Sequence, residues 1–321
     1  MMKKVLVIGL GASGVACVHF LSKRGYEIIA TDTRETPASL EQLKNLPNFT
    51  FTPLHRAKVA VKDVNFVVIS PGVSPYYSEA AELIKEAEQH NIPWFGEIEL
   101  FAQELHKLKQ ERGYDPVVLA ITGTNGKTTT TVLTTKMAQA GGKFAVAAGN
   151  IGPNAVRELD RYLEEGRLPE VWVLELSSFQ LQSTYSLVPT AAALLNITQD
   201  HIDWHGSMQA YIDAKARIFQ SEKTVRVLNR DDKAVMQYAN AAHVQTFGQD
   251  APEGVNQWGL LEEDGLLWLS FIADDSVALS KRKILTGELL QRLMPEKALK
   301  IQGRHNTMNA LAALALIHGA G

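Results

Sequence analysis

The stretch LAITGTNGKTTTTVL, Leu119 to Leu133, decides how this chain is read. Apolar, β-favouring residues run into Gly123-Thr-Asn-Gly126, and Lys127 then opens a threonine-rich run of helical character. A strand, a glycine turn and a helix in that order form a phosphate cradle, because inward-facing N–H groups and a helix start meet the anion. The common P-loop pattern asks for a glycine five residues before Gly126, where this chain has Ile121. A shorter loop can keep the same turn. Gly123 and Gly126 let the backbone curl, Lys127 brings a point charge to the β- and γ-phosphates, and the Thr128 hydroxyl suits Mg²⁺.

A second glycine turn lies upstream. GLGASG, Gly9 to Gly14, follows the β-rich run KVLVIG and opens a helical pattern from Ser13 to Arg24, while Asp32 ends the next apolar run. Glycines at 9, 11 and 14 with an acid about 20 residues on match the dinucleotide fingerprint. The plainer alternative is a turn needed only for tight strand–helix packing. Strands are expected at Lys4–Gly9, Tyr26–Asp32 and Val64–Ser70, with a helix over Ser78–Asn91. Apolar strands separated by helices imply a parallel sheet with right-handed crossovers. A new series begins at VVLAIT and continues through FAVAAG, EVWVLEL, TAAALLNIT and TVRVLN. The expected architecture is therefore α/β: a Rossmann-like parallel-sheet domain over residues 1–93, jointed at Pro93, then a P-loop-type ATP-binding domain over 94–321. A first unit under a hundred residues is about half of a dinucleotide fold, so it suits one nucleotide better than two.

The chain has 321 residues, 45% of them hydrophobic and 21% charged, with a formal charge of −3. That balance gives no basic surface for nucleic acid and no sign of an anionic-membrane binder. No apolar run approaches the ~18 residues needed to cross a bilayer. A secretory signal does not fit the N-terminus, where glycines and Asp32 break the apolar run. A single cysteine, Cys17, cannot pair internally and suits a reducing cytoplasm. A monomer is expected.

Glu175 ends the apolar run VWVLEL, and at the mouth of a parallel sheet a carboxylate can bind Mg²⁺ directly or through water. Asp200, His201, Asp203 and His205 crowd the loop NITQDHIDWHGS. They are metal-site candidates, although loop histidines are often only polar surface. Lys215 lies in the helical stretch AYIDAKARIF, and a helical lysine is ordinarily solvated. Were it aimed at a divalent cation ~4 Å away, repulsion would be roughly 8 kcal/mol at an effective dielectric of ~20. Such a lysine would have to be neutral, screened by phosphate or converted to an anion.

TGTNGKTT, GNIG, LELSSFQL, NITQDHIDWHG, AYIDAKARIF and GRHNTMNALAA occur in this order, and the chain thereby resembles the Mur ligases of peptidoglycan synthesis. With GLGASG, TDTR and SPGV upstream, it is most similar to the branch that adds D-glutamate to UDP-N-acetylmuramoyl-L-alanine. That family's loop is the shorter G-[TS]-N-G-K-[TS] form, which accounts for Ile121. The resemblance implies an ADP-forming ligase working through an acyl phosphate. It implies an ATP site at Gly123, Thr124, Asn125, Gly126, Lys127, Thr128 and Thr129, with Asn306 and Asn309 near the nucleoside. It implies a UDP-sugar site at Gly11, Ser13, Thr33, Arg34 and Gly72, with Asp32 beside it, and Asn150 on the sugar-peptide. Two Mg²⁺ are implied, held by Thr128, Glu175, His201 and Lys215, the last as an N6-carboxylated (carbamate) lysine. Lys127, Lys215 and His201 would carry catalysis, and His205 would be structural.

The family also has a third, amino-acid-binding domain, and the chain stops where it would begin. The expectation is a two-domain piece that binds the UDP-sugar without turning over. Two alternatives remain at this point: an NAD-dependent oxidoreductase using GLGASG and Asp32, or a non-catalytic UDP-sugar binding fragment.

Overall fold

The computed structural model describes residues 2–56, 61–273 and 289–321. The N-terminal series is β1 (Lys4–Ile8), α1 (Ala12–Lys23), β2 (Glu27–Thr31), α2 (Leu40–Leu43), β3 (Phe49–Phe51), β4 (Phe66–Ile69), α3 (Ala81–Gln89) and β5 (Trp94–Phe95). Its strands form a parallel sheet in the order β3-β2-β1-β4-β5. Val5, Leu6 and Val7 of β1 have no exposed surface. Strands covered on both faces carry unbroken apolar runs rather than alternation, which is why KVLVI was legible. From β1 the chain builds β2 and β3 on one side and then β4 and β5 on the other. The glycine turn after β1 consequently lies at a switch point, where open α/β sheets leave a crevice.

The expected joint at Pro93 falls one strand early. Trp94 and Phe95 still pair with Val67 and Val68, and a two-residue strand leaves no periodicity to detect. The strand at Phe49–Phe51 was missed for the same reason.

The second series is α4 (Glu97–Arg112), β6 (Val117–Thr122), α5 (Lys127–Ala140), β7 (Ala145–Gly149), α6 (Ala155–Glu164), β8 (Val171–Glu175), α7 (Ser178–Gln182) and β9 (Ala191–Leu194). It continues with α8 (Ile202–His205), α9 (Met208–Ala216), β10 (Val225–Asn229), α10 (Lys233–Met236), β11 (Val244–Phe247), β12 (Gln257–Glu263), β13 (Leu266–Ile272), β14 (Leu290–Pro295) and α11 (Arg304–Gly319). The sheet order is β14-β13-β12-β11-β10-β9-β6-β8-β7. It is parallel from β7 to β12 and antiparallel over β12-β13-β14. Strand β6 sits between the two directions of growth, so Gly123–Lys127 leaves a second switch point. The antiparallel extension and α6 were not expected from the sequence.

The two sheets meet through polar contacts set into apolar packing. Just past β5, Glu97 opens α4 and accepts the Val156 N–H of α6 at 2.8 Å, which fixes α4 within the second unit. Arg24 reaches Asp160 at 2.8 Å and Glu104 at 3.0 Å. Ser74 donates to the Trp204 carbonyl at 3.0 Å, and Tyr77 packs where a Gly206 side chain would stand.

Candidate nucleotide and metal site

The phosphate loop is shaped by its two glycines and by strand β9. Gly123 has φ +155° and Gly126 has φ +87°. A side chain on Gly123 would press against Leu195 and Asn196, and one on Gly126 would run into Asn309. Asn196, just beyond β9, clamps the loop in both directions: its Oδ1 accepts the Asn125 N–H at 2.8 Å, and its Nδ2 donates to the Asn125 carbonyl at 3.0 Å. The Thr124 hydroxyl lies 2.9 Å from the Tyr211 hydroxyl. Asn196 and Tyr211 were missed from the sequence, because their part depends on β9 and α9 lying beside a loop some 70 to 90 positions away.

Lys127 Nζ donates to the carbonyls of Gly123 at 3.0 Å and Thr124 at 2.9 Å. Burial lowers its pKa, with Glu175 and Asp200 opposing. The Thr128 hydroxyl donates to Glu175 Oε2 at 2.9 Å, and Asn150 Nδ2 donates to Glu175 Oε1 at 2.7 Å. Thr124 to Thr129 together with Asn150 and Glu175 line an open cavity of about 340 Å³. Asn309 is buried against the loop on α11, which packs along α5, and its Nδ2 lies 3.3 Å from Asn306 Oδ1.

Lys215 departs from the ordinary expectation for a helical lysine. Only 2% of it is exposed, and Nζ donates to the Gly123 carbonyl at 2.9 Å. The amine also sits 4.6 Å from the centre of the Tyr211 ring. Burial, then the Lys127 charge, bring its pKa down to about 7, against the pull of Asp200. Asp200 is the carboxylate whose field reaches both lysines.

His201 takes a left-handed conformation at φ +51°. Its ring packs on Phe179 at 4.7 Å, and Nε2 lies 3.3 Å from Asp200 Oδ2. His205 is buried, with Nε2 2.9 Å from Ser178 Oγ. Burial, then Lys215 and His201, lower its pKa to about 4, so it is a neutral brace for the loop. Among the described residues no three His, Cys, Asp or Glu side chains converge as a metal cluster. The buried Glu175 carboxylate and the Thr128 hydroxyl are hard oxygen donors facing one cavity. Such donors fit a Mg²⁺ that keeps several waters and the nucleotide's own oxygens.

At the other switch point, a side chain on Gly14 would collide with the Gly9 carbonyl, while one on Gly11 would meet nothing within 4 Å. Gly14 therefore serves helix–strand packing, and Gly11 leaves room for a ligand. Asp32 differs from the picture of an open ligand group. It accepts the Leu10 N–H at 2.7 Å and a two-pronged contact from Arg34 at 2.8 and 2.7 Å. Burial would raise its pKa, but the Arg34 guanidinium and two backbone N–H groups outweigh it and hold the carboxyl below its usual range. A ribose could reach Asp32 only by displacing Arg34, which removes the support for a dehydrogenase. Ser13 Oγ accepts from Asn154 Nδ2 at 3.1 Å, and Thr33 and Gly72 are exposed.

One segment joins the two switch points. Asn150 holds Glu175, and Asn154, four residues later, holds Ser13. Four residues span at most about 14 Å, so the glycine turn and the phosphate loop open within a small molecule's length of each other.

Fold and site together define a two-sheet α/β nucleotide-binding protein with a phosphate loop and a separate glycine turn. Residues 121–317 match the family model described as the Mur ligase middle domain, and residues 3–96 match that of the MurD-like Mur ligase N-terminal domain. The chain belongs to the Mur ligase family. It is 46% identical over 327 residues to the UDP-N-acetylmuramoylalanine--D-glutamate ligase of Cupriavidus pinatubonensis, with 97% of this chain and 65% of that protein covered. The enzyme of the same name from Ralstonia nicotianae is 46% identical, with 99% and 66% covered. The chain thus spans about 65% of the length of these relatives. Among solved structures, the UDP-N-acetylmuramate:L-alanyl-gamma-D-glutamyl-meso-diaminopimelate ligase of Neisseria meningitides aligns with TM-score 0.58 at 18% identity. It covers all of this chain and 94% of that one, a likeness of fold. No helix among the described residues is long and apolar enough to cross a membrane.

Proposed function

We propose that this chain carries the nucleotide and UDP-sugar sites of an ATP-dependent ligase that adds D-glutamate to UDP-N-acetylmuramoyl-L-alanine. The supporting observation is the segment Asn150–Asn154, which ties the phosphate-loop carboxylate to the glycine turn. A sugar-peptide anchored at Gly11, Ser13, Arg34 and Gly72 could then extend its terminal carboxylate towards a γ-phosphate held at Gly123–Thr129. Attack by that carboxylate gives an acyl phosphate and ADP; the amine of D-glutamate then displaces phosphate to form the amide.

The first step brings two anions together, so its barrier is electrostatic. Lys127, now held by loop carbonyls, is placed to turn to the phosphates, and Thr128 and Glu175 would hold Mg²⁺, which neutralises charge on the transferring group. Asn309, packed against Gly126, and Asn306 beside it on α11 would contact the nucleoside. His201 would serve a second Mg²⁺ with Lys215. The Lys215 amine is desolvated and its pKa is lowered to about 7. Addition of CO₂ to the neutral amine, with loss of one proton, would give the carbamate anion that such a site needs and relieve the repulsion from Lys127.

Calorimetric titration tests the proposal. The chain should bind Mg·ATP and UDP-N-acetylmuramoyl-L-alanine at separate sites, with Lys127→Ala weakening only the first and Arg34→Ala only the second. NADH should not bind. Saturable NADH binding, or loss of both substrates from one substitution, would overturn it.

A further inference from the structure

Helix α8 is a single turn, Ile202–His205, set between two left-handed residues, His201 at φ +51° and Gly206 at φ +81°. So short a helix does not stand alone in water, because its few internal bonds do not offset the order they require. A left-handed histidine adds backbone strain, which persists only where its surroundings over-determine it. The conformation of His201 is therefore imposed from outside α8.

Part of that grip comes from the second unit. Phe179 packs on His201 at 4.7 Å and on Trp204 at 4.6 Å, and Ser178 meets His205 at 2.9 Å. The rest comes from the first unit, through the loop that follows β4. Ser74 in that loop is only 5% exposed, and its hydroxyl donates to the Trp204 carbonyl at 3.0 Å. Carbonyls in the last turn of a helix have no donor within the helix, so Ser74 supplies the missing one from 130 positions away. The same hydroxyl oxygen accepts the Tyr77 N–H at 3.2 Å, which leaves its proton for Trp204. Tyr77 covers Gly206 so closely that a side chain there would collide with the phenol. The loop is stiff: Pro71 and Pro75 restrict its backbone, and Tyr76 meets Trp94 of β5 edge-on at 6.3 Å.

We propose that Ser74 and Tyr77 are positioning residues, which set His201 by holding the Trp204–Gly206 end of its turn. The metal loop of the second unit is then complete only while the first unit is docked against it. This inference rests on the role proposed above for His201 at a second Mg²⁺.

The test uses Mn²⁺ as the probe, since imidazole and oxygen donors accept it in place of Mg²⁺. Its uptake is followed by the EPR signal of the free ion at saturating AMP-PNP. Wild type should take up two ions, one with the nucleotide and one that His201→Ala removes. Ser74→Ala should weaken the second ion about tenfold, as expected when a buried acceptor loses its donor, and adding Tyr77→Ala should weaken it further. The first ion and the AMP-PNP affinity should stay unchanged in both variants, a pattern that general loosening of the fold would not give. Unchanged affinity for the second ion in Ser74→Ala, where His201→Ala abolishes it, would overturn the positioning role alone. Equal weakening of both ions in Ser74→Ala would also overturn it. A second ion that survives His201→Ala, or is missing from wild type, would overturn the metal role of His201 and this inference with it.

Discussion

Replacing Glu97 by glutamine tests the buried α4–α6 contact just past the first sheet's last strand. The Glu97 carboxyl is 2% exposed; Oε1 accepts the Val156 N–H, and Oε2 has no partner. Burial raises its pKa to about 7, although the N–H groups of Val156 and Ala155 pull the other way. In the unfolded chain it titrates near the ordinary 4.5. A folded-state pKa above the unfolded one means that the folded protein holds the proton more tightly. Stability from this group is complete below about pH 4.5 and drains away as pH rises towards 7. With those two values the loss between pH 5 and pH 8 is about 2.5 kcal/mol, at ~1.36 kcal/mol per pKa unit. His205 runs the opposite way: with its pKa lowered to about 4, it costs stability as pH falls below the unfolded value of 6.5. The quantity to measure is therefore the difference between wild type and Glu97→Gln in urea unfolding at pH 5 and at pH 8, which cancels His205. Glutamine keeps the acceptor for Val156 but cannot ionise. Relative to wild type the variant should gain about 2–3 kcal/mol on going from pH 5 to pH 8. A difference that stays constant within 0.5 kcal/mol, on the order of one-third of a pKa unit, would show that Glu97 does not titrate at the joint.

Three further outcomes are expected. Gly126→Ala should cost about 1–2 kcal/mol of stability from left-handed strain alone and should abolish nucleotide binding by calorimetry, since its side chain would meet Asn309; normal affinity would mean that the loop reshapes freely. Lys127→Ala should weaken Mg·ATP at least about tenfold, as loss of a charged phosphate contact does, while leaving UDP-sugar affinity unchanged. With a pKa of about 7, the Lys215 amine is roughly three-quarters neutral at pH 7.5, against ~0.1% for an ordinary lysine. Carbon-13 NMR in labelled bicarbonate should accordingly show a carbamate signal that Lys215→Arg removes, and a signal indifferent to that substitution would refute the assignment.

The stretch Val117–Thr122, Gly123–Gly126 and Lys127–Ala140 was readable because a buried strand, a glycine turn and a helix each leave a local mark. The same holds for β1 with its glycine turn, and for Glu175 at the end of an unbroken apolar strand. Spacing along the chain also made Thr128 and Glu175 candidates, and the fold puts them 2.9 Å apart. Two-residue β5 and three-residue β3 left no such mark, so the joint was placed too early.

Local sequence thus determined the longer buried strands, the helices that follow the two glycine turns and which turns can cradle phosphate, since periodicity and glycine act over a few residues. Tertiary structure alone decided that Lys215 is buried on the Gly123 carbonyl rather than solvated, and that Asp32 is occupied by Arg34. It also decided that Asn196 and Tyr211 brace a loop far from them in the chain. Desolvation and charge fields depend on what packs around a group, and that neighbourhood is assembled from residues up to 140 or so positions apart, as Asn154 and Ser13 are.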